Sequence, residues 1–498
     1  VLATGGGEIK VVLLVPLFVF GYSAPTFLYL TNRIAHPYCL APALLVSLVA
    51  TTILGSLMFS FTSISTHPQL IWVGLVGAII GASVIGRSKV IRDSDYKSPE
   101  HSLFGTLIAS ITLILGAALL RISFPFREDD PQWLPDDFPF FAMVAQDTSM
   151  GNPGEAFFNG LTFNYHWLTY SFFGGINRLV NVGQISGILV IGTLISWMLL
   201  VLGAISIVQS LSKRRLPLII APLAVVFASS VGLYAYSTYG LGDSIVSPST
   251  LLTSAWFVAV LITVQSSTTS ESVNKIILPI IMGISGFALG LGKISTAVIT
   301  VVGIVSILGF TFIFQRNSTQ NSFTLLVKHT SFTVFPFLIG MGIASFLFLR
   351  STETELGIEG SLVDSNATSP YQWLVFLLPT LVSVFSFAVM AFPVLIPTTR
   401  WRTNGLFLAS AVLSVSGLLA IFFFDFGSGN EAWFLTAAFA LILPASSVLV
   451  ADFLTAKYSL SPLRHWIQAM LIVVLVIPTA ILLLVFGDSK NLEVRPWL

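Results

Sequence analysis

Residues 294–314 read ISTAVITVVGIVSILGFTFIF, a run without a single charge. About 20 apolar residues in a helix cross the ~30 Å hydrocarbon core of a bilayer. Similar runs recur along the 498-residue chain, which is 55% hydrophobic and only 9% charged, with a mean hydropathy of +0.91. Soluble domains carry about 25% charged residues. The sequence therefore predicts an all-α polytopic membrane protein, and it excludes a soluble enzyme, a secreted disulfide scaffold, a fibrous protein and a disordered regulator.

The apolar runs, separated by polar breaks, predict about fourteen transmembrane helices. The first run is long enough to be a true span rather than a cleaved signal peptide. The expected spans are residues 11–30, 39–60, 69–86, 103–123, 183–209, 217–235, 249–266, 275–292, 294–314, 330–349, 372–397, 406–424, 433–452 and 467–486.

Lysine and arginine residues concentrate on the cytoplasmic side of membrane proteins. Fifteen of the 23 basic residues fall on one predicted face, including Arg87 and the triplet Lys213–Arg215. We therefore assign that face to the cytoplasm, and both termini to the outside. Every charge falls at or near the end of a span, whereas ion-coupled transporters usually place ionisable residues at mid-membrane. This distribution favours chemistry at the outer membrane surface.

One predicted loop, residues 124–182, is much longer than the others and lies outside. A long loop in a compact protein is usually functional or disordered, and the aromatic content of this one disfavours disorder. Its apolar pattern predicts a short helix on the bilayer surface directly after Asp136 and Asp137, and a second helix over residues 163–176. The loop holds seven acidic residues: Glu128, Asp129, Asp130, Asp136, Asp137, Asp147 and Glu155.

The adjacent carboxylates of Asp136 and Asp137 have two chemical uses. An ionised aspartate acts as a general base that takes the proton from an acceptor hydroxyl. A neighbouring aspartate binds a hard divalent cation, Mg²⁺ or Mn²⁺, through oxygen ligands. A structural role is an equal alternative, because carboxylates at a helix start cap its free N–H groups. Asp129 and Asp130 form the alternative pair for the metal and for catalysis.

Three short motifs resemble the GT-C superfamily of integral-membrane glycosyltransferases, which use polyprenyl-phosphate sugars. The first is DD-x-x-x-F-A-x-x-A in the outer loop, comprising Asp136, Asp137, Phe141, Ala142 and Ala145. Tyr165-His166-Trp167-Leu168 and Tyr170 resemble the second amphipathic element of that loop. Gly290-Leu291-Gly292-Lys293 resembles the Gly-Leu-x-x-Lys stretch at a tight turn between spans in many members.

The resemblance implies an extracytoplasmic active site, expected at a bacterial plasma membrane. It implies that Asp136 or Asp137 deprotonates an acceptor hydroxyl of a glycan, lipid or protein. The acceptor then attacks the anomeric carbon of the polyprenyl-phosphate sugar and inverts its configuration. The departing lipid phosphate needs a cation nearby. Lys293 is the first candidate for that cation, with Arg350 and Arg127 behind it.

Several candidate substrate-binding residues keep two interpretations. Lys293 is a phosphate ligand or a lysine that extends from a span end towards water, and Arg350 is equally a span-end anchor. His166 binds the acceptor or assists proton transfer, and Tyr165 stacks on a sugar ring. Alternatively, both belong to the interfacial aromatic belt. Glu431 binds sugar hydroxyls or belongs to a turn.

The resemblance covers residues 103–350, which form a predicted core after a three-span extension, residues 1–102. Residues 351–498 supply the remaining spans, and the outer loop 350–371 lies at the boundary. Three other functions compete: a lipid-linked glycan flippase or other transporter, a polymerase or ligase of lipid-linked glycans, and a non-catalytic subunit of a membrane complex. The net charge of +1 implies no nucleic-acid partner, and no phosphate-binding nucleotide motif appears, which favours a lipid-linked donor.

Overall fold

The computed structural model describes the chain in separate ranges. They are residues 41–61, 137–151, 167–227, 248–269, 277–314, 322–348, 391–395, 404–423 and 432–455, together with Tyr22, Ser23, Thr26, Leu107, Ile111, Thr112 and Arg402. Within these ranges the regular structure is entirely helical, which confirms the all-α class.

Twelve longer helices, numbered here in chain order, contain most of the described residues. They are α1 (Ala41–Phe61), α2 (Asp137–Thr148), α3 (Leu168–Val180), α4 (Thr193–Leu211), α5 (Arg215–Phe227), α6 (Pro248–Thr269), α7 (Ile277–Gly292), α8 (Ile294–Phe314), α9 (Ser322–Phe332), α10 (Val334–Phe348), α11 (Gly405–Phe423) and α12 (Ala432–Thr455). A three-residue helix, Gln184–Ser186, and a π-helical segment, Gly187–Gly192, lead into α4.

Five helices in the described ranges are long and apolar enough to cross a membrane. They are Ala41–Phe61, Thr193–Leu211, Pro248–Thr268, Ile294–Phe314 and Leu326–Leu347, the last comprising parts of α9 and α10. The count of about fourteen remains a prediction. Expected spans 11–30, 69–86, 103–123, 372–397 and 467–486 lie wholly or largely outside the described residues, as do the boundaries of the three expected regions.

Helix α6 is at the centre of the bundle. Its residues from Pro248 to Val264 are all buried, and it packs against α1, α4, α7, α8 and α12. A helix that is covered on every side belongs to a protein core and not to a lipid-facing surface. Yet the first turns of α6 carry hydroxyl side chains, Ser249, Thr250, Thr253 and Ser254, all buried.

Most hydroxyl groups in the spans are satisfied within their own helix. Ser206 donates to the carbonyl of Leu202 at 2.7 Å, and Thr300 donates to that of Thr296 at 2.7 Å. Because lipid offers no hydrogen-bond partners, a serine or threonine in a span commonly bonds the carbonyl four residues earlier. Hydroxyls with partners on another helix are therefore the informative ones.

The predicted cytoplasmic side carries an ion pair. The Arg214 guanidinium lies 3.3 Å from the Asp452 carboxylate, which joins the start of α5 to α12. Nearby, the Asn404 amide donates to the carbonyl of Ser210 at 3.4 Å. The ion pair joins α5 to α12, and the amide hydrogen bond joins the start of α11 to the end of α4.

Candidate functional site

The two helices of the long predicted loop pack against each other. α2 begins at Asp137, directly after Asp136, as expected. The rings of Phe141 and Tyr170 stack with centroids 4.9 Å apart and an interplanar angle of 16°. The carbonyl of Ala145 lies against Gly174, where a larger residue would collide with it. The small and aromatic positions of the two loop motifs therefore meet in one interface.

The second loop helix, α3, differs from the expected surface helix. It begins at Leu168, later than residue 163, and Leu168 to Asn177 are buried without interruption. It lies against α1, where the rings of Phe172 and Phe59 are 6.5 Å apart and Ser60 donates to the Ser171 hydroxyl at 2.8 Å. An amphipathic helix on the bilayer surface would keep one polar, exposed face. α3 is instead part of the protein core.

The end of α3 is fixed to the helix that follows. Asn181 adopts the left-handed conformation, with φ 57° and ψ 50°, and terminates α3. The Asn177 amide donates to the carbonyl and the side-chain oxygen of Gln184 at 3.3 and 3.1 Å. Gly187, the first residue of the π-helical segment, lies directly against the Asn177 side chain. These contacts fix the end of α3 relative to the segment that leads into α4.

The start of α3 reaches the junction between α7 and α8. A Cβ atom placed on Gly292 would lie 2.9 Å from Thr253 Cγ2, 3.1 Å from the Trp256 ring and 3.6 Å from Thr169 Cγ2. The junction itself is one residue long. Lys293 N–H donates to the carbonyl of Leu289 at 2.8 Å, and Ala297 N–H donates to that of Lys293 at 3.1 Å. Lys293 thus lies where α3, α6, α7 and α8 meet.

The Lys293 side chain is buried within the protein, with only 5% of its surface exposed. Its ammonium donates to the Thr250 hydroxyl on α6 at 2.6 Å. One turn further along α6, the Thr253 hydroxyl lies 3.3 Å from that of Thr296 on α8. We call Thr250, Thr253 and Thr296 the threonine cluster. A lysine that only anchors a span end extends its ammonium into water, whereas this one lies among hydroxyl groups.

Further buried hydroxyls lie on the same helices. Thr169 at the start of α3, Ser254 on α6 and Ser295 at the start of α8 have no hydrogen-bond partner among the described residues. Buried polar groups in proteins are nearly always hydrogen-bonded, to protein, to water or to a ligand. A buried ammonium beside a hydroxyl group has the chemistry of an anion site, because ammonium and hydroxyl groups both donate to phosphate oxygens.

Opposite charges lie on the two loop helices, Arg178 on α3 and Asp147 on α2. Burial lowers the pKa of the Arg178 guanidinium on α3 from its ordinary value, and the negative charge of Asp147 on α2 opposes that shift. The attraction between these charges adds to the packing of the two loop helices.

Most predicted site residues lie outside the described part of the chain. This holds for Asp129, Asp130, Asp136, Tyr165, His166, Arg127, Arg350 and Glu431. Asp137 is described only as the first residue of α2. Among the residues that the structure does describe, no group of three or more His, Cys, Asp or Glu side chains is arranged to hold a metal ion.

The sequence prediction missed the threonine cluster. Thr250 and Lys293 are 43 positions apart, and a threonine in an apolar helix is ordinarily satisfied by its own backbone. One available signal was the set of four hydroxyl residues within the first turns of a span, Ser249, Thr250, Thr253 and Ser254.

Comparisons with known proteins identify no family. No protein-family model matches the chain, and no curated protein matches it. Among solved structures, the chain is similar to archaeal oligosaccharyltransferase AglB from Archaeoglobus fulgidus, in complex with an inhibitory peptide and a dolichol-phosphate. The identity is 14% and the TM-score 0.40, over 77% of this chain and 55% of that one, so this chain matches about half the length of AglB. A likeness of this size does not establish a shared activity.

Proposed function

We propose that the protein is a membrane glycosyltransferase that takes a sugar from a polyprenyl-phosphate donor on the extracytoplasmic side. The observation that carries the proposal is the buried ammonium of Lys293, which donates to the Thr250 hydroxyl at the junction of α7 and α8. Burying a cation is costly unless an anion or several hydrogen bonds compensate for the lost water. A lipid phosphate at the membrane surface is an anion that an ammonium group binds through charge-assisted hydrogen bonds.

The reaction follows from the residues and from the GT-C resemblance of the loop motif. A carboxylate of Asp136 or Asp137 takes the proton of an acceptor hydroxyl. The acceptor oxygen attacks the anomeric carbon from the side opposite the phosphate. The bond between that carbon and the phosphate oxygen breaks, and the lipid phosphate leaves with the electron pair. The ammonium of Lys293 stabilises the negative charge that develops on the departing oxygen.

Other parts of the proposal concern residues outside the described ranges. Tyr165 stacks on a sugar ring, and His166 and Glu431 bind sugar or acceptor hydroxyls. Arg350 assists Lys293 with the phosphate. Mg²⁺ or Mn²⁺ binds the oxygen ligands of Asp136 and Asp137, or of Asp129 and Asp130. The acceptor is a glycan, a lipid or a protein, and the membrane is a bacterial plasma membrane.

The test combines binding and transfer. The melting temperature of the purified protein is measured with and without undecaprenyl-phosphate glucose. Transfer is measured separately, as the loss of labelled sugar from the lipid fraction in the presence of a membrane extract. The donor raises the melting temperature by mass action. Asp136→Asn or Asp137→Asn keeps this stabilisation and loses transfer by about 10²–10⁴-fold, the usual contribution of a general base.

Asp147→Asn is the matched control, because it removes another carboxylate of the same loop helix. We expect this variant to transfer sugar at the wild-type rate. If the donor gives no stabilisation, or if both asparagine variants transfer at the wild-type rate, the proposal is wrong. Movement of labelled lipid across proteoliposomes without loss of the sugar would favour the flippase instead.

A further inference from the structure

The position of the Lys293 ammonium depends on a partner. A lysine side chain is a flexible stem of four carbons, so the position of its charge is not set by the backbone alone. The backbone at Lys293 is fixed by hydrogen bonds to Leu289 and Ala297. The far end of the side chain is fixed by the 2.6 Å hydrogen bond that it donates to the Thr250 hydroxyl.

Thr250 is well suited to be that partner. It lies in the first turn of α6, the helix that is covered by protein along most of its length. Its side chain is fully buried, and a threonine has few χ1 rotamers. The hydroxyl oxygen therefore has a defined place before any ligand binds, and it can restrict the ammonium to one location.

The neighbouring threonine does not duplicate this role. The Thr253 hydroxyl donates to the carbonyl of Ser249 at 2.9 Å and faces the Thr296 hydroxyl at 3.3 Å. Its methyl group lies against Gly292, the residue before Lys293. Thr253 thus shapes the backbone of the junction, whereas Thr250 contacts the charge.

We infer that Thr250 is a positioning residue, which holds the ammonium of Lys293 at the place where the donor's phosphate binds. The inference rests on the proposed function, because it takes a polyprenyl phosphate as the anion. Preorganised donors bind a charge more strongly than flexible ones, since no ordering remains to be done on binding. Removal of the Thr250 oxygen therefore weakens the binding of phosphate through Lys293, although Lys293 is still present.

The test measures the affinity of purified protein in detergent micelles for undecaprenyl phosphate, with undecaprenol as the uncharged control lipid. Thr250→Val keeps the shape of the side chain and removes its oxygen. We expect it to weaken phosphate affinity by up to about tenfold, because the Lys293 side chain must then be ordered when the phosphate binds. Thr250→Ser restores the hydroxyl, and its affinity stays within about twofold of the wild type.

Two controls separate positioning from a general effect on the fold. Thr263→Val removes a hydroxyl from the same helix that is bonded to the carbonyl of Ala259 at 2.8 Å, and it leaves phosphate affinity unchanged. Lys293→Met abolishes the preference for phosphate over undecaprenol. In the double variant, Thr250→Val causes no further loss, because the two residues act as one unit.

Each contrary outcome has a separate meaning. If the wild type binds undecaprenyl phosphate no better than undecaprenol, the proposed function fails and the inference fails with it. If Lys293→Met loses the preference but Thr250→Val binds like the wild type, the positioning role is wrong and the proposed function stands. Additive losses in the double variant also overturn the inference. Should Thr250→Val not fold, Thr250→Ala takes its place with the same expected loss.

Discussion

Helix α7 belongs to two regions of opposite character. Along its length it packs against α10 through glycine: Gly286 lies on the Phe337 carbonyl, and Gly340 lies on the Gly283 carbonyl. At its end it enters the polar junction, where Lys293 and the threonine cluster are buried. One region brings two backbones together, and the other brings charged and hydroxyl side chains together.

The difference separates stability from function. In a bilayer, small residues let helices approach closely and gain van der Waals contacts, which is the main source of helix association. Buried cations and hydroxyls contribute less to stability, because their burial costs the free energy of their lost hydration. We therefore expect substitutions in the α7–α10 interface to lower stability, and substitutions in the polar junction to change ligand binding with a smaller effect on stability.

The largest effect is expected at Gly340. The methyl group of Gly340→Ala would collide with backbone atoms of Gly283 and Phe287, and we expect a loss of roughly 3 kcal/mol or more in unfolding free energy from this overpacking. Gly342→Ala is the control on the same helix, because a Cβ there meets nothing within 4 Å among the described residues.

The measurement for this pair is thermal unfolding in detergent. Gly342→Ala is expected to melt at or slightly above the wild-type temperature, since alanine is the better helix former by up to about 1 kcal/mol. Equal melting temperatures for the two alanine variants would contradict the backbone contact between α7 and α10.

A smaller effect on stability is expected at Trp256, whose ring lies next to Gly292 at the junction. Its indole N–H donates to the Thr52 hydroxyl on α1 at 2.8 Å, whereas the buried indole N–H of Trp197 has no hydrogen-bond partner among the described residues. Both Trp→Phe substitutions remove similar ring area. Trp256→Phe should therefore be less stable than Trp197→Phe by about 1 kcal/mol, the usual value of one hydrogen bond. Chemical denaturation of both variants measures the difference, and a reversed order would rule out this contact.

The smallest effect on stability is expected at Lys293. Lys293→Met removes the hydrogen bond to Thr250 but also the cost of a buried ammonium. We expect unfolding free energy to change by no more than about 1 kcal/mol. Phosphate binding is lost at the same time. A decrease of several kcal/mol would show that the junction stabilises the fold, and the contrast with the α7–α10 interface would then disappear.

The spans were the part most readily predicted from sequence. The expected span 294–314 matches α8, and 39–60 matches α1 closely, because long charge-free runs have one stable arrangement in lipid. The start of the first loop helix at Asp137 was also anticipated from the acidic pair and the apolar residues after it. These features depend on local sequence alone.

Tertiary features were less predictable. The apolar pattern after residue 163 predicted a surface helix, but α3 packs against α1 and α2, and its residues from Leu168 to Asn177 are buried. Lys293 was selected because of its glycine neighbours, and its burial could not be deduced from them. The partnership with Thr250 depends on α6 and the α7–α8 junction being adjacent, which no local pattern encodes.

The most direct test of the central claim is a cryo-electron microscopy structure of the protein in lipid nanodiscs with undecaprenyl phosphate. Our account predicts a phosphate oxygen about 2.8 Å from the Lys293 ammonium, the length of a charge-assisted hydrogen bond, with Thr250 still in contact with that ammonium. Phosphate density at another place, with the Lys293 side chain still enclosed by the threonine cluster, would contradict it.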